Sequence, residues 1–189
     1  MDDPPPSLPS PLPGVQFGQL TSHGDERGAF TELWRSSSLG DAAGSFVQAN
    51  LSTSSAGVLR GLHLHRRQLD YWVVLAGRAF VALVDTRAPS DGSAWPLPPA
   101  VETRELGPNG WVIIPAGVAH GFLALDALHL LYLVTNEYDG SDELGFAWDD
   151  PAVGVPWPAV TGTPGGRPIV SGRDASNPSL AELVARLRG

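Results

Sequence analysis

From Val15 to about Tyr138 the chain runs as short apolar stretches broken by Gly, Pro, Asp and Ser. GVLRGLHLH (57–65), DYWVVLAG (70–77), RAFVALVD (78–85), GWVIIPAG (110–117) and HLLYLVTNEY (129–138) are rich in β-branched and aromatic residues. Turn signals such as AG, NG and PAG separate them. Many short strands at this spacing, with no competing helical period, predict an all-β sandwich or barrel. One helix is signalled near the C-terminus, where Leu180, Leu183, Val184 and Leu187 recur at i, i+3, i+4 and i+7. Asn177 is expected as its N-cap, Pro178 as its first residue and the barrel exterior as its seat. Segments 87–103 and 139–170 are rich in Pro and Gly and read as irregular surface loops. Residues 1–13 carry six prolines and read as a disordered or polyproline-like arm, leaving 14–189 as one domain.

A chain of 189 residues is long enough to bury a substantial single core. Its net charge of −8 and pI near 4.9 leave no general attraction for nucleic acid or anionic membranes. A small anion can still bind where a few arginines converge. No run approaches the roughly 20 apolar residues of a membrane-spanning helix. MDDPPPSLPSPLPG lacks the basic start and apolar run of a signal peptide, so the expected address is cytoplasmic. The absence of cysteine excludes disulfides, thiolate metal sites and cysteine nucleophiles.

Histidines occur at 23, 63, 65, 120 and 129. His63 and His65 are two apart on a predicted strand, so their side chains share a face. Asp70 follows, and PAGVAH (115–120) places His120 after a turn. This spacing resembles the two short motifs of the cupin superfamily. Asp70 stands there in place of the usual Glu, and Ala124 in place of the usual Asn. That resemblance implies a divalent metal (Zn, Fe, Mn or Ni) on His63, His65, Asp70 and His120. His65 reads equally well as a hydrogen-bonded pocket residue beside Asp70. His23 and His129 read as surface or packing residues, Trp72 and Phe80 as core. Arg66 and Arg67 are either solvated or placed to meet a diphosphate.

A wider resemblance covers nearly all of the chain after the arm. DERGAFTELW (25–34), FVQANLSTSSAGVLRGLH (46–63), PAGVAHGFLAL (115–125), LLYLVTNEYDG (130–140), DPAVGVPWP (150–158) and VSGRDAS (170–176) follow in order. Together they resemble the dTDP-4-dehydrorhamnose 3,5-epimerases, which implies a cupin jelly roll and a dTDP-4-keto-6-deoxyhexose substrate. No cofactor is then required. The same resemblance implies that His63 is the base, that Asp174 holds it, that Tyr132 returns the proton and that His120 lines the pocket. Gln48, Asn50 and Arg60 would contact the sugar or diphosphate. Arg27, Phe30 and Glu32 would reach the nucleotide in the neighbouring subunit of a homodimer. Without the motif order, Tyr132 reads as core and Asp174 as a turn residue.

The residue types suit the chemistry. A proton α to a ketone is weakly acidic, so its removal needs a base poised near neutral pH and a group that stabilises the enolate. Inversion then needs a proton from the other face. Tyr138 shares parity with Tyr132 but lies roughly 20 Å along the strand, near the expected pocket mouth. Arg60 has opposite parity to His63, and a bulge at Gly61 would bring both into one pocket. The epimerases carry lysine where this chain has Asp70, and usually lack a histidine at 65. Both departures favour two further readings: a metal-dependent cupin oxygenase or isomerase, or a non-catalytic nucleotide-sugar-binding cupin.

Overall fold

The computed structural model describes residues 7–37, 46–88 and 98–188. Its strands are β1 (Ser7–Leu8), β2 (Gln16–Gln19), β3 (Ser22–Asp25), β4 (Gly28–Thr31), β5 (Gln48–Ser54), β6 (Leu59–Leu64) and β7 (Asp70–Ala76). They continue as β8 (Ala79–Asp85), β9 (Val101–Leu106), β10 (Gly110–Ile114), β11 (Val118–Ala124), β12 (Leu128–Val134) and β13 (Leu144–Gly145). Antiparallel pairing builds one sheet in the order β1-β2-β10-β7-β12-β5 and a second in the order β13-β6-β11-β8-β9. Hairpin β3-β4 stands apart from both. The all-β expectation holds.

Alternation explains what each sheet faces. Trp72 and Val74 of β7, Val112 and Ile114 of β10, Val81 and Leu83 of β8, and Phe122 of β11 meet between the sheets as the main core. Their neighbours Tyr71, Val73, Trp111 and Ile113 point the other way, into a second cluster under Leu20, Leu33, Phe46 and Leu69. On the far side of the other sheet, Ala82, Val84 and Ala119 pack against Phe146, Val153, Leu180 and Leu183. Strands covered on both faces have no polar side, which is why WVVL and WVII read as continuous apolar runs.

Three expectations change. Residues 7–13 are part of the fold: β1 pairs with β2 and Leu12 is only 2% exposed. The proline-rich sequence is compatible with an edge strand, because proline lacks only the donor that such a strand leaves unused; residues 1–6 lie outside the described residues. The segment 139–170 is also more than a surface loop. β13 pairs with β6, and Phe146 and Val153 are buried under the second sheet. In the other expected loop, residues 101–103 belong to β9, while 89–97 lie outside the described residues.

Helix α1 (Gly172–Ala175) was not foreseen, and α2 (Leu180–Arg188) starts later than Pro178. Ser179 caps α2. Its hydroxyl accepts from Glu182 N at 3.3 Å, and the Glu182 carboxylate accepts from Ser179 N at 2.8 Å. This reciprocal capping box satisfies two end donors and fixes the start. Leu180 and Leu183 then bury, each contributing about 1.5–3 kcal/mol of apolar burial. Among the described residues, no helix is long and apolar enough to cross a membrane.

Candidate active site

A cavity of about 680 Å³ lies between the sheets, within the usual range for small-molecule sites. Most strands supply alternate residues to it: Gln48 and Asn50 from β5, Asp70 and Trp72 from β7, His120 and Phe122 from β11, and Tyr132 from β12. Strand β6 breaks the rule, supplying Arg60 and His63, with His65 just beyond its end. His63 pairs with His120, yet Arg60 pairs with Phe122, so β6 carries one extra residue between them. This is the expected bulge, and it requires glycine. Gly61 has φ +134°, and a Cβ there would sit 2.6 Å from Gly121 Cα.

His63 Nε2 lies 2.8 Å from Asp174 Oδ1. Asp174 comes from α1, whose N-cap Ser171 accepts from Asp174 N and so orients the carboxylate. Burial raises the Asp174 pKa, but the hydrogen bond and charge of His63, with the Gly61 N–H, hold it below the ordinary value of 3.8. A carboxylate accepts only, so His63 donates Nε2–H and keeps its lone pair on Nδ1.

The second cluster is His65, Asp70 and His120, whose candidate ligand atoms all lie within 4.8 Å of one another. His65 Nδ1 is 3.1 Å from Asp142 O, and His120 Nδ1 is 3.1 Å from Val118 O. Carbonyls accept only, so each neutral imidazole donates Nδ1–H and leaves the Nε2 lone pair free. Burial pushes the His120 pKa down to about 4, against the attraction of Asp70, so its ring is neutral near pH 7. Among the described residues, His63 is not in this group. Of the four residues singled out by spacing, three cluster.

Tyr132 projects from the sheet opposite β6 and is half-buried. Burial first, then the Asp70 charge, raises its pKa above the ordinary 10.0, so the phenol stays protonated. The cavity thus has a carboxylate-held imidazole on one wall and a protonated phenol on the other.

The family profile described as dTDP-4-dehydrorhamnose 3,5-epimerase matches residues 9–182. The chain belongs to this family. Over 171 residues it is 36% identical to the dTDP-4-dehydrorhamnose 3,5-epimerase of Sinorhizobium fredii, covering 85% of this chain and 82% of that one. The solved Mycobacterium tuberculosis rmlC epimerase is similar at TM-score 0.83 and 32% identity, covering 96% and 91% of the two chains. The epimerase RmlC of Legionella pneumophila, solved in complex with dTDP-4-keto-L-rhamnose, is similar at TM-score 0.81 and 29% identity, covering 96% of each chain.

In this member of the 3,5-epimerase family most of the residues singled out in the sequence converge. Gln48 Nε2 donates to Asn50 Oδ1 at 2.9 Å, and Gln48 Oε1 accepts from Tyr138 N at 2.9 Å, which ties the exposed Tyr138 to the cavity rim. Arg60 is turned toward β5, donating Nε–H to Ser54 Oγ at 3.1 Å. Arg27, Phe30 and Glu32 do not line the cavity. Arg27 pairs with Asp25 and Glu32 with Arg35, and Phe30 is 68% exposed on its hairpin.

Trp72, expected as core only, also lines the cavity and donates Nε1–H to Asp70 at 3.1 Å. Asp142, Glu143 and Arg173 were missed. Asp142 is buried and accepts from Arg66 N and Arg67 N at 3.2 Å each, which draws the 139–143 segment over the β6 end. Arg67 also pairs with Asp139 at 2.7 Å, so both arginines are held by carboxylates. The only advance signal was the acid-rich run DGSDE.

Proposed function

We propose that His63, held by Asp174, and Tyr132 carry out the inversion in this epimerase, whose substrate is a dTDP-4-keto-6-deoxyhexose. His63 Nδ1 takes the proton on the carbon beside the ketone, and the electron pair moves into an enolate. Tyr132 then gives its proton to that carbon from the opposite side and is reprotonated from solvent. No net oxidation occurs, so the reaction needs no redox cofactor. The observation that carries this reading is the placement of a carboxylate-held imidazole and a protonated phenol on facing walls of one cavity. Proton removal and return from opposite faces is the requirement for inversion, and each positioned group contributes about 10²–10⁴-fold. Deuterium incorporation from D₂O at C3 or C5 tests it: His63→Ala should abolish incorporation, and the parent rate in that variant would remove His63 as the base.

Gln48, Asn50 and Arg60 serve substrate binding in this reading, since they line the cavity beside Tyr138. Arg27, Phe30 and Glu32 act across a homodimer. The detached hairpin with its exposed Phe30, and the exposed Val47 and Leu51 at the sheet edge, support that assembly. Sedimentation at micromolar concentration should give a dimer; a monomer alone would overturn it.

A further inference from the structure

We propose that His65, Asp70 and His120 bind one divalent first-row transition-metal ion whose open positions face the cavity, where it serves as the electrophile for the substrate ketone. Asp70 is 3% exposed and lines the cavity beside Trp72 and His120. Gln68 Nε2 donates to its Oδ1 at 2.7 Å and Trp72 Nε1 to its Oδ2 at 3.1 Å, so both oxygens are acceptors and rigidly aimed. Among the described residues, its only ion-pair neighbour is His120, at 3.7 Å. The chain contains no lysine, and Arg60 is turned to Ser54 and Thr53. A buried carboxylate with no cation beside it is costly, and is normally paired or bound to a metal.

The histidines supply the other half. Both donate Nδ1–H to a backbone carbonyl, which fixes the ring and leaves Nε2 as a ligand. That carbonyl-anchored tautomer is the usual outer support of metal-bound histidine. The ligand atoms lie within 4.8 Å of one another, and bonds of about 2.0–2.2 Å to one ion would draw them closer together. Two imidazoles and one carboxylate form a site with open positions.

The chemistry of the cavity asks for such an ion. The Nδ1–H groups of His65 and His120 are turned to backbone carbonyls and away from a developing enolate, and both Asp70 oxygens are acceptors. None of the three offers the enolate a cation. A bound dication supplies one and polarises the ketone oxygen. His63 pairs directly with His120 across β6 and β11, so the base is next to the metal while remaining off it. The electrophile role rests on the reaction proposed above; the binding site does not.

The test separates the two. Chelator-stripped protein is titrated with Zn²⁺, Mn²⁺, Fe²⁺ and Ni²⁺, with elemental analysis after desalting. At least one ion should reach about one per chain. His65→Ala and Asp70→Asn should each weaken binding more than tenfold with circular dichroism unchanged, whereas His63→Ala should retain it. Failure of all four ions to bind, or full binding in both ligand variants, overturns the site. For the role, stripping should lower deuterium incorporation at least a hundredfold and metal should restore it; equal rates with and without metal overturn the electrophile. Full metal content with no incorporation under any condition overturns the reaction and leaves the site standing.

Discussion

Asp174→Asn isolates the contribution of the carboxylate to the base. The amide keeps the shape of the side chain but loses its charge, and it can turn its NH₂ toward His63 Nε2. The 2.8 Å contact then stabilises the wrong tautomer, with the proton on Nδ1 and no lone pair toward the substrate. A hydrogen bond to a charged partner is worth about 1.5–3 kcal/mol. The Asp174 side chain is only 5% exposed, so solvent screens little of its attraction for the imidazolium formed in the reaction, on the order of 4 kcal/mol at 4 Å and an effective dielectric of 20. At about 1.4 kcal/mol per tenfold, these partly overlapping effects give a fall in kcat of about 10²–10⁴. The assay is deuterium incorporation followed by NMR with saturating keto sugar. KM should stay within a few-fold, because the change acts through His63. Asp174 also gives an acid limit. Its folded pKa lies below 3.8, so its stabilising contribution is present above that pH and is lost as pH falls through the lowered value. A variant that exchanges within threefold of the parent would refute the dyad.

Tyr132→Phe should abolish inversion while proton exchange on the His63 side persists; loss of both together would place Tyr132 elsewhere in the reaction. Because burial and the Asp70 charge raise the Tyr132 pKa, the parent rate should not decline on the alkaline side below pH 10.0 through this group, which a pH–rate profile of Tyr132→Phe against the parent checks. Gly61→Ala forces a side chain into positive φ against the Gly121 backbone and should cost about 3 kcal/mol or more, read from denaturant unfolding; a cost under 1 kcal/mol would show that the bulge is not needed. Ser179→Ala removes the α2 cap, costing about 1 kcal/mol and lowering the melting temperature by about 2–4 °C, with an unchanged melting temperature as the contrary result.

The strands were legible because their runs are bounded by turn residues, and the pocket histidines because alternation puts His63 and His65 on one face. What alternation cannot show is a change of phase. Arg60 and His63 converge only because one residue is inserted at the bulge, and glycine at 61 was the sole hint. Helix signals misled in a different way. Asn177-Pro178 is a plausible start, but the reciprocal Ser179–Glu182 pair two residues later satisfies more end donors. The role of 139–145 was hidden for a third reason: Asp142 acts on Arg66 and Arg67 across more than 70 residues, and nothing local to DGSDE announces it. The cluster of His65, Asp70 and His120 was legible by spacing, which gave no sign that His63 lies outside it.

His63 and Asp174 are 111 residues apart in sequence. The two sheets are complete by Gly145, whereas α1 is a four-residue helix followed closely by the clasp between Leu180 N and Asp150, at 2.7 Å. The carboxylate partner of His63 is therefore carried by a short helix outside the two sheets and not by a strand. A short helix of this kind should open with a smaller free energy than the strands beneath it. Activity should vanish several degrees before the strands melt, and a nick after Ile169 should leave a barrel that still binds its ligands but no longer turns them over.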